Sequence, residues 1–478
     1  MVESGAVIQA DFASIVGDAR VITDPAVCAG FAIDGITPHS VVYPTRAEEA
    51  AEVLRCAAAH DLVVIPCRNA TKLDIGASPR RYDVALSLKD MNQVWYYEPD
   101  DLVVSVEPGM KFGDLQHFLA RHRLWIPLDP GGGERASVGG ILAANAAGPL
   151  RLQYGGPRDM VLGMKIATPE GRIVKTGGRV VKNVAGYDLA KLVIGSYGTL
   201  GVIVEATFKL YPQVANRVTW AIEPIALETA REIRRELLRS PLRPLRLVLL
   251  NHATRRHLAD ATSSPRLVTS SEVNLALWIE AGGSDRVLAR YTDELGVLAA
   301  KHGAPLHKLD RDAAGETWER IADFGSGLTR EQQAPLVVRA ALPIASCEEF
   351  LERAEKESRL GGFETAGLVQ LGVGVVDLGI GLNASGSANT DPEPRGDGVQ
   401  PQAQAPGSRY PAATIIERLR QAAITLGGTL VVTHCPAELK SKLDVWGPPG
   451  DDFEVMRKLK MAWDPKSTLS PGRFIGGL

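Results

Sequence analysis

The chain has 478 residues, 45% of them hydrophobic and 23% charged, with 53 Lys and Arg against 56 Asp and Glu for a formal net charge of −3. That length accommodates about three average domains or two large ones, and the near-neutral balance excludes a long basic nucleic-acid arm and wholesale disorder. Apolar runs such as residues 247–250 are far too short to span a bilayer. The first dozen residues lack a basic stretch followed by an apolar one, so the sequence predicts a soluble, cytoplasmic protein without a secretory signal. The five cysteines, Cys28, Cys56, Cys67, Cys347 and Cys435, form no C-x-x-C pair. They signal neither a zinc site nor a redox dithiol, and free thiols fit a reducing compartment.

In chain order, residues 40–43 read as a short β-branched and aromatic strand ending at Pro44. Thr45 stands three residues before Glu48, a capping box, and Ala50, Val53, Leu54, Ala57 and Ala58 then recur at helical spacing. Residues 62–65 form a second strand closed by Pro66 and a polar loop, a β-α-β pattern that places a ligand at a strand end. Strands are expected at 84–88, 102–106, 161–168, 172–176 and 202–210, with an amphipathic helix at 112–121. After Pro212 glycine thins out, and a domain boundary is placed there. Helices follow near 227–240, 287–301 and 348–359, with strands at 245–250, 274–278 and 336–342. Residues 383–408 are low in large aliphatics and rich in Gly, Pro, Ala, Ser, Gln, Asn and Asp, the composition of a disordered surface insertion.

Three stretches carry chemistry. Gly131 to Gly148 is dense in Gly and Ala, with Ser137-Val138-Gly139-Gly140 leading to Asn145. Small residues let backbone approach a bulky anion, and consecutive free N–H groups cradle phosphate oxygens; a tight packing site for a helix is the competing reading. Gly155-Gly156-Pro157-Arg158-Asp159 precedes the 161–168 strand, and Gly195-Ser196-Tyr197-Gly198-Thr199-Leu200-Gly201 precedes Val202 and Ile203. The G-x-x-G-x-x-G spacing is weak alone, because no strand directly precedes it.

In this order and spacing, residues 36–214 resemble the FAD-binding domain of the vanillyl-alcohol oxidase and p-cresol methylhydroxylase (PCMH) flavoprotein superfamily. Gly186-Tyr187-Asp188-Leu189, Leu192, Gly195-Ser196, Gly198 to Gly201 and Glu205 look like its most specific block. Trp463-Asp464-Pro465 with Leu469-Ser470-Pro471-Gly472-Arg473 is similar to the C-terminal signature of its 2-hydroxyacid branch, with Ser470 where that branch often has Asn. Gly148 to Arg151, Arg158 to Gly163, Arg179 to Leu189 and Asp444-Val445-Trp446-Gly447-Pro448 narrow the likeness to the FAD-binding subunits of bacterial glycolate oxidase complexes. The resemblance implies non-covalent FAD. Its contacts would be Pro66, Cys67, Arg68, Asn69, Ala70, Thr71, Lys72 and Leu73, then Ser137, Val138, Gly139, Gly140, Asn145 and Gly148, then Arg158, Asp159, Gly201, Val202 and Ile203. It also implies a second flavoprotein subunit and an iron–sulfur subunit as partners, with any attachment to the inner face of the membrane made through them.

One departure stands out: the first loop, usually Gly-rich, has no glycine before Gly76. Arg68 and Lys72 would offset this through charge-assisted contacts to the pyrophosphate, each worth about 1.5–3 kcal/mol before desolvation. Cys67 reads as a structural thiol. Arg158 and Asp159 form either a pair near the cofactor or an ordinary surface salt bridge. Oxidation of a hydroxy acid needs a base for the hydroxyl proton; of the nine histidines, His434 is the one candidate near the C-terminal block, with a structural role as the alternative. No clustered His/Glu pattern suggests a metal. Trp446 either covers a ring system or packs at a Pro turn.

The expected fold is α+β: a two-subdomain PCMH-type FAD-binding domain over residues 1–212, then a cap over 213–478 whose C-terminal tail returns to the first domain. The expected function is the FAD-binding subunit of a 2-hydroxyacid oxidase complex, converting glycolate to glyoxylate. A stand-alone FAD-linked alcohol or sugar oxidase and a flavin-free scaffold subunit are the other readings.

Overall fold

The computed structural model describes residues 2–68, 71–180, 186–259, 275–330, 336–382 and 412–478. The expected insertion at 383–408 lies outside the described residues. The chain divides into two compact units, residues 1–214 with 444–478, and residues 215–443.

The first unit holds two sheets. One has four strands in the order Val21–Ile22, Ser40–Val42, Val84–Ser87, Val64–Cys67. Its last three strands run parallel. The expected β-α-β strands are therefore not neighbours, because Val84–Ser87 lies between them. The crossover helix Ala47–Ala59 turns Ala50, Val53, Leu54 and Ala57 into a core with Val42, Val64 and Leu86. Its cap differs from the expected box: the Thr45 N–H and hydroxyl both donate to the Glu49 carboxylate, at 2.8 and 2.9 Å, and Glu48 is not the partner. The strand expected at 62–65 runs from Val64 to Cys67 and contains Pro66. Proline is tolerated because this strand stands last in the sheet, where a missing N–H breaks no central ladder.

The second sheet has five antiparallel strands in the order Val94–Glu98, Val103–Val106, Val202–Lys209, Val161–Ala167, Ile173–Gly177. Its core takes Phe112, Leu115 and Leu119 from helix Phe112–Ala120 and Ile141 and Leu142 from helix Val138–Ala143. Ala167, Val202 and Val204 of this sheet share the core of helix Ala47–Ala59, so that helix is packed between the two sheets.

Residues 444–478 complete the first unit. The Val64 N–H donates to Thr468 O at 2.8 Å and the Ser470 N–H donates to Val64 O at 3.1 Å, adding a short parallel bridge to the 64–67 edge. Lys460, on helix Phe453–Trp463, is buried and donates to Asp464 Oδ2 at 2.6 Å, Thr199 O at 2.8 Å and Leu469 O at 2.8 Å. The Asp464 carboxylate also accepts from the Thr468 and Leu469 N–H groups at 2.9 and 2.8 Å.

The second unit is built on an eight-stranded sheet, in the order Leu306–Lys308, Arg217–Ile225, Leu275–Gly282, Arg246–Leu250, Glu364–Gln370, Val375–Leu382, Leu336–Ala341, Thr429–His434. Trp278 and Trp318 meet edge to face in its core, and Trp318 donates its ring N–H to Thr219. Among the described residues no helix is long and apolar enough to cross a membrane.

Candidate cofactor cleft

Within the first unit, the end of strand Val64–Cys67, helix Val138–Ala143 and the turn at 195–201 converge on one cavity. Two backbone features fix the turn. Gly195, Tyr197 and Gly198 have φ of +90°, +53° and +73°, a region that costs an L-residue about 1–2 kcal/mol. The Gly195 N–H donates to Leu142 O at 3.0 Å and the Tyr197 N–H to Ala143 O at 2.9 Å, tying the turn to the helix end.

Twelve of the sequence-derived contacts line this cavity: Pro66, Cys67, Arg68, Thr71, Lys72, Leu73, Ser137, Gly139, Gly140, Gly201, Val202 and Ile203. Asn69 and Ala70 lie outside the described residues. Val138 turns into the hydrophobic core. Asn145, Arg158 and Asp159 line a separate shallow hollow with Arg151. There Arg158 donates to Ile194 O at 3.1 Å, and Asp159 accepts from the Gly156 N–H at 2.8 Å. Gly148 packs on Asp129, whose carboxylate accepts its N–H at 3.1 Å. His434 lies in the second unit, in the edge strand Thr429–His434, opposite Val337.

The expected row of free N–H groups at 138–140 is absent. The Val138 N–H donates to Met110 O at 2.9 Å, Gly139 to Pro108 O at 2.8 Å, and Gly140 to the Ser137 hydroxyl at 3.2 Å. The small residues instead permit close approach of backbone to backbone: a Cβ on Gly139 would lie 2.8 Å from Pro108 Cβ. Positive charge at the cavity comes from side chains. Burial lowers the Arg68 pKa and the Asp114 carboxylate partly offsets this. Lys72 Nζ donates to Gly131 O at 3.0 Å. Among the described residues, the buried Arg68 Nε and the hydroxyl of Ser196, itself 4% exposed, have no hydrogen-bond partner.

Arg473 also lines the cavity. Its guanidinium donates to Leu73 O at 2.5 Å, Ile75 O at 2.7 Å and Ala77 O at 2.9 Å, so it clamps the loop that follows Pro66. Burial lowers its pKa, opposed most by Asp34. Trp446 donates its ring N–H to Arg473 O at 2.9 Å and meets Tyr197 and Phe474 edge to face at 5.0 Å each. Of the lining residues not assigned as contacts in advance, Ser196, Gly198 and Arg473 stand in the blocks that carry the resemblance, whereas Leu88 and Pro108 have no local signal.

Burial pushes the Cys67 thiol up to about 12. At pH 8 its thiolate fraction is therefore roughly three orders of magnitude below that of an ordinary thiol. In the native protein, alkylation of Cys67 is expected to lag a free thiol by about that factor and to accelerate about tenfold per pH unit above pH 8. Mass-spectrometric labelling of the Cys67 peptide across pH checks this; fast labelling at pH 8 would refute it.

Two family models match the chain: an FAD binding domain over residues 38–177 and the C-terminal domain of FAD linked oxidases over residues 215–474. The chain is 25% identical over 444 residues to the glycolate oxidase subunit GlcD of Bacillus subtilis, covering 91% of this chain and 89% of that protein. It is 28% identical to a D-lactate dehydrogenase of Archaeoglobus fulgidus, covering 91% of each. Its fold superposes on p-cresol methylhydroxylase with a TM-score of 0.72 at 15% identity, over 99% of this chain and 97% of the other. The chain belongs to the FAD-linked oxidases and is an FAD-dependent oxidoreductase of α+β, PCMH-type fold.

Proposed function

We propose that this protein is the FAD-binding subunit of a 2-hydroxyacid oxidase, oxidising glycolate to glyoxylate together with a second flavoprotein subunit and an iron–sulfur subunit. The observation that carries the reading is the cavity lined by residues 65–68, 71–73, 137–144 and 193–203, where the Arg68 Nε and the Ser196 hydroxyl are buried without a hydrogen-bond partner among the described residues. These residues fit FAD: two cations face the charge of a pyrophosphate, and Ile65, Leu88, Val193, Val202 and Ile203 supply apolar wall. When bound non-covalently, FAD supplies the hydride acceptor. Arg68 and Lys72 would hold its phosphates, and Arg473 keeps the 73–77 loop in place. Glycolate oxidase and D-lactate dehydrogenase relatives support a 2-hydroxy acid as substrate.

Among the described residues lining the cavity there is no histidine or carboxylate. A relative named as a glycolate oxidase subunit favours the complex over a stand-alone oxidase. The test is purification of the chain alone and co-expressed with candidate partner subunits, followed by flavin release and anaerobic addition of glycolate or D-lactate. About one FAD per chain and glycolate-dependent bleaching in the assembled complex are expected. Bound FAD that no 2-hydroxy acid reduces in either preparation would overturn the substrate assignment, and a chain that takes up no FAD would overturn the cofactor role.

A further inference from the structure

Away from the cleft, the N-terminal helix Val2–Val16 crosses helix Ala47–Ala59 and places three donors of different chemistry together. Cys56 and His60 are four residues apart, so they lie on one helical face a turn from each other. Asp11 reaches them from the other helix, with its Oδ2 3.0 Å from His60 Nε2. A ligand atom from each residue lies within 4.8 Å of the other two. In a tetrahedral site with bonds of about 2.0–2.3 Å, ligand atoms are separated by about 3.3–3.7 Å. The oxygen and nitrogen are already near that spacing, and the sulfur needs a shift on the order of 1 Å.

The placement rests on packing as well as on polar contacts. Phe12, adjacent to Asp11, is 1% exposed and joins Ala50, Ala51, Val53 and Leu54 in one core, so the two helices are held at this crossing by burial. His60 and Asp11 are part-exposed, leaving solvent access to the trio. Burial raises the pKa of the Cys56 thiol, reinforced by the Asp11 and Glu52 charges and opposed by Arg55. Those same carboxylates attract a divalent cation, and a bound cation reverses the effect on sulfur by stabilising the thiolate.

We propose that Asp11, Cys56 and His60 form a binding site for a borderline-soft divalent metal ion, zinc foremost, with the fourth position left to water. The sulfur, nitrogen and oxygen donors select zinc over magnesium or calcium, which take oxygen ligands. Binding displaces the Cys56 thiol proton to solvent and pins the N-terminal helix to the flavin-binding unit.

The test uses the full-length flavin-loaded protein, stripped of metal by dialysis against a chelator. Zinc titration by calorimetry is expected to give one site per chain with proton release that changes with buffer. Cobalt(II), followed as a difference spectrum over the flavin, is expected to show thiolate-to-metal charge transfer. At zinc about 100-fold above its Kd, Tm should rise by about 5 °C. His60→Gln, at a part-exposed position, and Cys56→Ser should each abolish stoichiometric zinc binding and the cobalt band while flavin content stays unchanged. Absence of zinc binding by the wild-type chain, a cobalt spectrum without the thiolate band, or binding that survives in folded His60→Gln protein would overturn the proposal.

Discussion

Replacing Lys460 by methionine is expected to destabilise the first unit by about 3–5 kcal/mol, the usual cost of removing one partner from a buried ion pair. Lys460 and Asp464 are 4% and 0% exposed, so neither finds water when the other is lost. Methionine keeps the stem's volume but leaves the Thr199 and Leu469 carbonyls and one side of the Asp464 carboxylate without the ammonium. Because Thr199 adjoins Gly198 in the cavity turn, the same substitution should weaken FAD retention as well as lower Tm. Thermal unfolding with and without added FAD measures both. The double variant Lys460→Met with Asp464→Asn should recover part of the loss, since it removes the uncompensated charge. Equal stability of wild type and Lys460→Met would show that the pair is not the fastening described.

Gly198→Ala is expected to weaken FAD binding by about tenfold or more. The position has φ +73°, and an added Cβ would sit 2.7 Å from Pro66 Cγ, where the turn packs directly on another residue of the cavity wall. Left-handed strain alone costs about 1–2 kcal/mol, and tenfold in Kd is about 1.4 kcal/mol. A control separates strain from contact. Gly17, in the same unit, has φ +89° with no atom of the described residues within 4 Å of an added Cβ, so Gly17→Ala should lose stability without losing FAD affinity. Titration of flavin-free protein with FAD, followed by fluorescence quenching, gives the comparison; indistinguishable affinities for the two variants would refute the assignment of Gly198 to the cavity wall.

Much of the architecture was legible because its signals are local. Strand Val84–Ser87 and helix Phe112–Ala120 fall within a residue or two of where hydrophobic period and breakers put them. What escaped was non-local. Nothing near residue 84 says that this strand slips between the two that flank helix Ala47–Ala59, since the pairing is decided by burial on both faces of a parallel sheet. The capping partner moved from Glu48 to Glu49 because the helix starts one residue later than the box assumes. Glycines at 139 and 140 suggested phosphate-binding amides, yet those amides answer to Pro108 and Ser137, a bond pattern set by how the helix docks. Arg473 could be seen as part of a family block, but its hold on three carbonyls of the 73–77 loop required the fold to bring together residues about 400 apart. The Cys56/His60 spacing escaped for a related reason, because its third member comes from another helix.

The closing of the first unit by residues 444–478 carries a consequence for synthesis. While residues 215–443 emerge, on the order of tens of seconds at about 5–20 residues per second, the 64–67 edge lacks its 468–470 neighbour and the 73–77 carbonyls lack Arg473. An unpaired parallel edge over an open apolar seat for Leu469, itself fully buried in the finished unit, is the kind of surface that sticks to other nascent chains. Cofactor loading is thus expected to wait until residue 473 has left the ribosome and can reach the 73–77 loop.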